Sequence, residues 1–354
     1  MADPESPPSG ARVLRVSLVI VAAILVLLIL QQLRSVFAPL TFALLVIAIV
    51  WPVQRTLQRW MPKLVALAFS ALLTFLFVTT FASLGVWAFS RITRDLIGQA
   101  AQFQLLYDQA VTWLEGHGIA TAGLLTEYLN MGWIVRVLQQ ILGTLNSMLS
   151  FSLVVIVYVV LGLLEVDLAA RRLDGMTNRD TGRALAQGIA ETAGKLRRYM
   201  GVRTLMSAAT GGLVWLFAYV TGLPHAMEWG MIAFALNYIP FIGPFVATIF
   251  PTLFAITQFQ SWEMVALVFV CLNLIQFLVG SYLEPRIAGN ALSISPFMVL
   301  FSVFFWTSLW GLAGAFIGVP ISVALITLCS HFQSSRWVTE VFGVSHADAD
   351  RITG

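Results

Sequence analysis

The residues best placed to do chemistry lie in the C-terminal third of the chain. Asn273, Gln276, Gly280 and Glu284 follow at steps of three, four and four, so on an α-helix they share one face. A polar stripe ending on an acid either lines a solute path or glues its helix to a neighbour, since Asn and Gln bridge helices in membranes. Glu284-Pro285-Arg286 sets opposite charges around a proline. It is a gate, a proton-exchange pair, or a solvated loop with Arg286 on the cytoplasmic side. Upstream, Pro240, Gly243 and Pro244 interrupt an apolar run. Asn237 stands one turn earlier, where it caps the broken end or touches a solute. Broken backbone at membrane depth is tolerated where protein buries it or where it lines a wet cavity, and transporters build substrate sites from it. A plain turn between two half-spans at the cytoplasmic surface needs no solute. Gly314 and Gly318 form a close-packing signal, and Trp306 and Trp310 fit interface anchors.

Elements able to position these residues follow from composition. The chain is 59% hydrophobic and 10% charged, with mean hydropathy +0.87. A soluble domain carries about 25% charged residues. The apolar stretches are continuous rather than alternating, which excludes a barrel and predicts an all-α, polytopic helical membrane protein with about eight spans. Segments 228–257 and 296–330 are 30 and 35 residues long. As helix they would measure about 45 and 52 Å, against a hydrocarbon core of ~30 Å. Each carries breakers near its middle (Pro240, Gly243 and Pro244 in the first, Gly311 and Gly314 in the second), so each reads as a helical hairpin or broken helix.

In chain order, residues 1–11 read as a disordered tail and 12–90 as three transmembrane helices. Residues 91–146 form an amphipathic helical extracytoplasmic insert, 147–166 a fourth span, and 167–204 a basic cytoplasmic segment. A C-terminal membrane core covers 205–333, with hairpins 228–258 and 296–330, and 334–354 is a cytoplasmic tail. The insert is net −1 and residues 167–203 are net +4, so the positive-inside rule puts both termini in the cytoplasm. Arg179 to Arg203 reads as an amphipathic surface helix held by anionic headgroups.

Several functions are excluded or disfavoured. Gly194-Lys195 lacks the spacing and the Ser or Thr of a phosphate loop. There is no HExxH, no GxSxG and no pair of intramembrane aspartates, so no enzyme is indicated. Cys271, Cys329 and the four histidines show no metal-ligand spacing, and no metal or cofactor is implied. The basic residues flank apolar runs, so they answer to the bilayer and not to nucleic acid. A secondary transporter of a small polar solute or a monovalent cation is the leading reading. The rival is a non-transporting scaffold that binds a partner through the 91–146 insert.

Three stretches carry a family resemblance: NYIPFIGPFVATIFPTLFAI (237–256), LEPRIAGNALSISPFMVL (283–300) and WGLAGAFIGVPISVALI (310–326). With the order of spans over roughly 12–335, they resemble the autoinducer-2 exporter family of bacterial and archaeal membrane proteins. That resemblance implies a multi-pass inner-membrane permease of eight spans, where the two hairpins counted above give ten crossings of the same parity. It also implies a homo-oligomer, a pentamer by that likeness alone. It further implies export of autoinducer-2 or exchange of sodium or lithium for protons.

Overall fold

The structure is a computed structural model that describes residues 9–99, 105, 112, 116, 131–259, 261–288, 294–335 and 337. Its principal elements are α1 (Ser9–Gln32), α2 (Arg34–Leu57), α3 (Lys63–Gly98), α4 (Met131–Asp174) and α5 (Arg179–Thr221). They continue with α6 (Ala226–Leu236), α7 (Ile242–Phe259), α8 (Trp262–Phe277), a π-helical turn (Leu278–Leu283), α9 (Glu284–Ala288) and α10 (Pro296–Ser330). Eight helices among the described residues are long and apolar enough to cross a membrane, so the chain is a multi-pass membrane protein. Half of the expected insert lies outside the described residues. Residues 91–98 end α3, and 131–146 begin α4.

The helices start and stop where local chemistry requires. Asn178 accepts the Thr181 N–H at 3.1 Å and opens α5, while Gly222, at φ 71°, closes it. Ser261 and Ser295 cap α8 and α10 in the same way as Asn178. Nothing between Asn178 and Gly222 breaks the helix, so α5 runs unbroken for 43 residues. The expected separate surface helix over Arg179–Arg203 is therefore the first half of a helix that continues into the fifth span. At about 64 Å it overruns the bilayer on one side.

Both long C-terminal segments fold back. In 228–257 the chain leaves α6 at Leu236, turns through Asn237–Phe241 and re-enters α7 at Ile242. Trp229 and Phe254 rings then meet at 5.7 Å, where a straight helix would hold residues 25 apart at about 37 Å. In α10, Gly311 adopts φ 62°, ψ −140°, a region open only to glycine at low cost. The Trp306 indole N–H donates to Ser322 Oγ at 3.3 Å, though the two are 16 residues apart. Gly314 sits where any Cβ would overlap the Trp306 carbonyl, so the paired glycines pack one half of this hairpin on the other. Trp306 and Trp310 are consequently not interface anchors. They are buried, and Trp310 donates to the Leu30 carbonyl at 3.0 Å. Turning inward gives each indole N–H a protein acceptor in place of headgroup water.

Proline in α2 has a visible cost and remedy. Pro52 offers no N–H to the carbonyl of Ala48, four residues back. Arg197 of α5 reaches across and donates Nη1 to that carbonyl at 2.9 Å. Replacing Arg197 by Met is expected to destabilise the protein by about 1–3 kcal/mol, read as a lower melting temperature in detergent, because a half-buried carbonyl loses its donor. Unchanged melting would show that the contact does not hold α2 against α5.

Candidate functional site

Several buried polar groups lie along one face of α5. Tyr199, Arg203, Ser207 and Thr210 recur at helical spacing, and all four are buried. The 237–241 tip and the start of α9 are brought against them. Arg203 Nη1 donates to Glu284 Oε1 at 2.5 Å, and the two side chains are 7% and 20% exposed. Asn237 Nδ2 donates to Ser207 Oγ at 3.2 Å, and the Tyr238 hydroxyl donates to Thr204 Oγ1 at 2.9 Å. Arg203 Nε and Thr210 Oγ1 are buried without a hydrogen-bond partner among the described residues. A cluster with spare donors and acceptors can take up a further polar group without dismantling the fold.

The tip has local causes. α6 and α7 cannot join as one helix, because Pro240 lacks an N–H and Phe241 sits at φ 64°. Pro244 then falls in the first turn of α7, where its missing N–H costs nothing. A Cβ on Gly243 would overlap the Leu236 carbonyl, so glycine lets the backbones touch.

The sequence-predicted residues separate here. Asn237 and Glu284 enter the cluster, with Pro240 and Gly243 buried in the tip and Pro244 half-buried beside them. Asn273 does not enter: it is exposed and donates back to the Phe269 carbonyl of its own helix at 2.7 Å. Gln276 is half-buried. Arg286 does not pair with Glu284; it lies over the Tyr282 ring at 4.0 Å. The stripe from Asn273 to Glu284 fails as one face because Leu278–Leu283 is π-helical, and its wider turn shifts every later residue round the axis. Arg203, Tyr199, Ser207 and Thr210 were not anticipated. Their signal was present, since hydroxyls recur with Arg203 at helical spacing as the basic segment passes into the apolar span.

Beyond the cluster a cavity of about 490 Å³ opens between α3, α5 and α6. It is lined by Phe81, Gly211, Trp215, Met227, Gly230 and Phe234, among others. Phe81 also touches Tyr238, so the cavity begins beside the polar cluster and continues along α6 toward its N-terminal end. No group of three or more His, Cys, Asp or Glu is placed to hold a metal among the described residues.

A family model described as AI-2E family transporter matches residues 18–334. The AI-2 transport protein TqsA of Escherichia coli is 29% identical over 295 residues, 82% of this chain and 84% of that protein. A putative transport protein of Borreliella burgdorferi is 30% identical over 194 residues, covering 54% of this chain and about half, 52%, of its own length. The putative transport protein YueF of Bacillus subtilis is 22% identical over 338 residues, 88% of this chain and 89% of its own.

Proposed function

This chain belongs to the AI-2E transporter family, a family of membrane transport proteins, and from that premise we propose that it is a secondary transporter. It exchanges a small polar solute or a monovalent cation for protons across a bacterial inner membrane, with both termini in the cytoplasm. The observation that carries this reading is the Arg203–Glu284 pair, held between α5 and α9 beside the 237–241 tip. A charge pair in the membrane core is costly to keep and marks ion and substrate paths. Glu284 has three ways to be satisfied there: by Arg203, by a cation, or by a proton. A carboxylate that can trade among these couples solute movement to proton movement. Arg203 keeps the site neutral when it is empty. The apolar cavity between α3, α5 and α6 supplies the route from this cluster to the outer side, and the two hairpins supply parts that can move against α5. The name of TqsA makes AI-2 one solute to include, beside sodium and lithium. The assembly is a homo-oligomer in this reading, on the family likeness.

Purified protein in proteoliposomes carrying a pH gradient tests this. Addition of Na⁺, Li⁺ or a polar solute is expected to dissipate the gradient faster than in protein-free vesicles. A folded protein that moves none of them, nor any labelled small polar solute, would end the transporter reading.

A further inference from the structure

At the end of α3 opposite Lys63, four ionisable side chains meet outside the polar cluster. His225 Nε2 lies 2.6 Å from Asp95 Oδ2, and His225 Nδ1 lies 3.6 Å from Glu228 Oε1. Arg91 Nη1 pairs with the same Glu228 oxygen at 2.8 Å. Arg91 and Asp95 belong to α3, His225 to the turn after α5, and Glu228 to the first turn of α6. α7 adds the uncharged Phe254 ring, 5.7 Å from the imidazole. The turn is held in an unusual shape, with His225 at φ 62° and the Trp229 indole donating to the Pro224 carbonyl at 3.1 Å. The imidazole is thus fixed between two carboxylates on different helices.

We infer that this cluster is a proton-sensitive latch that ties α3 to α6 across the mouth of the apolar cavity. A protonated imidazole donates Nε2–H to Asp95 and puts its positive charge within ion-pair reach of Glu228, 3.6 Å away. With Arg91 it balances both carboxylates. A neutral imidazole donates from one nitrogen only. Its other lone pair then faces a carboxylate oxygen, and the four groups carry one uncompensated negative charge. Arg91 still pairs with Glu228, so the charge left without a cation is that of Asp95 on α3, and the contact from the His225 turn to α3 weakens. The latch therefore holds while the imidazole carries its second proton and slackens when that proton leaves. The cavity lies between the two tied helices, lined by Leu84 and Gly85 of α3 and by Met227, Gly230 and Met231 of α6. Separation at the latch widens it. The gating role rests on the transport reading, whereas the latch does not.

Spin labels at Gly98→Cys and Met227→Cys, in a protein whose Cys271 and Cys329 are changed to Ser, report the α3–α6 distance in liposomes. The expected result is one short, narrow distance at about pH 5 and a longer or broader distribution at about pH 8. His225→Gln is expected to remove that response. Asp95→Asn, at an exposed position, does the same should His225→Gln misfold. A distance equal at both pH values, or a full response retained in both variants, overturns the latch. A pH-dependent distance in a protein that moves no solute leaves the latch standing and fails the transport reading. Flux with a pH-independent distance does the reverse.

Discussion

Glu284→Gln is expected to cut flux in proteoliposomes by at least about tenfold, equivalent to about 1.4 kcal/mol of barrier. The larger part of the loss comes from removing the one carboxylate that the described residues place in the polar cluster. The variant is also expected to lose stability, because Arg203 keeps a guanidinium that is 7% exposed and no longer paired. Breaking such a pair costs about 3–5 kcal/mol, while replacing both members is often neutral. The double change Arg203→Met with Glu284→Gln separates the two effects. It should melt close to wild type and still move nothing. A double variant that transports normally, or a Glu284→Gln protein with unchanged flux, would remove the pair from the mechanism.

The second large effect concerns the α10 turn. Gly314→Ala puts a methyl group into the Trp306 carbonyl, and backbone cannot step aside as a flexible side chain would. A loss of about 3 kcal/mol or more is expected, at the upper end of overpacking costs. Gly311→Ala meets no atom within 4 Å and suffers only from its backbone angles, φ 62° and ψ −140°, so about 1–3 kcal/mol is expected. Gly143→Ala, exposed in α4 with open space around it, should be neutral or slightly stabilising. Melting temperatures ranked in another order would mean that the two halves of α10 do not pack on one another as described.

Much of the architecture could be read along the chain, because a bilayer imposes a one-dimensional rule. Each crossing must close its own backbone hydrogen bonds and present apolar side chains for about 30 Å, and both demands are written locally. The breakers at Pro240, Gly243, Pro244, Gly311 and Gly314 also marked the turns, since a backbone that cannot stay helical announces it in residue type. Asn237 was legible for the same reason, as the amide beside a broken end.

Pairing across the fold was not legible. Arg203 closes a basic run, and its partner Glu284 lies 81 residues away. For Glu284 and Arg286 the sequence leaves a gate, a proton-exchange pair and a solvated loop open, and Arg286 lies over the Tyr282 ring. Trp306 and Trp310 looked like headgroup anchors and proved to be core, since their acceptors Ser322 and Leu30 are 16 and 280 residues away. The π turn at Leu278–Leu283 moved Glu284 off the Asn273 face, and nothing in its composition signals one extra residue per turn. The chain by itself determined which stretches enter the membrane and where they bend. Tertiary structure alone decided which charges could be tolerated inside, because a buried charge depends on a partner and partners are chosen by packing.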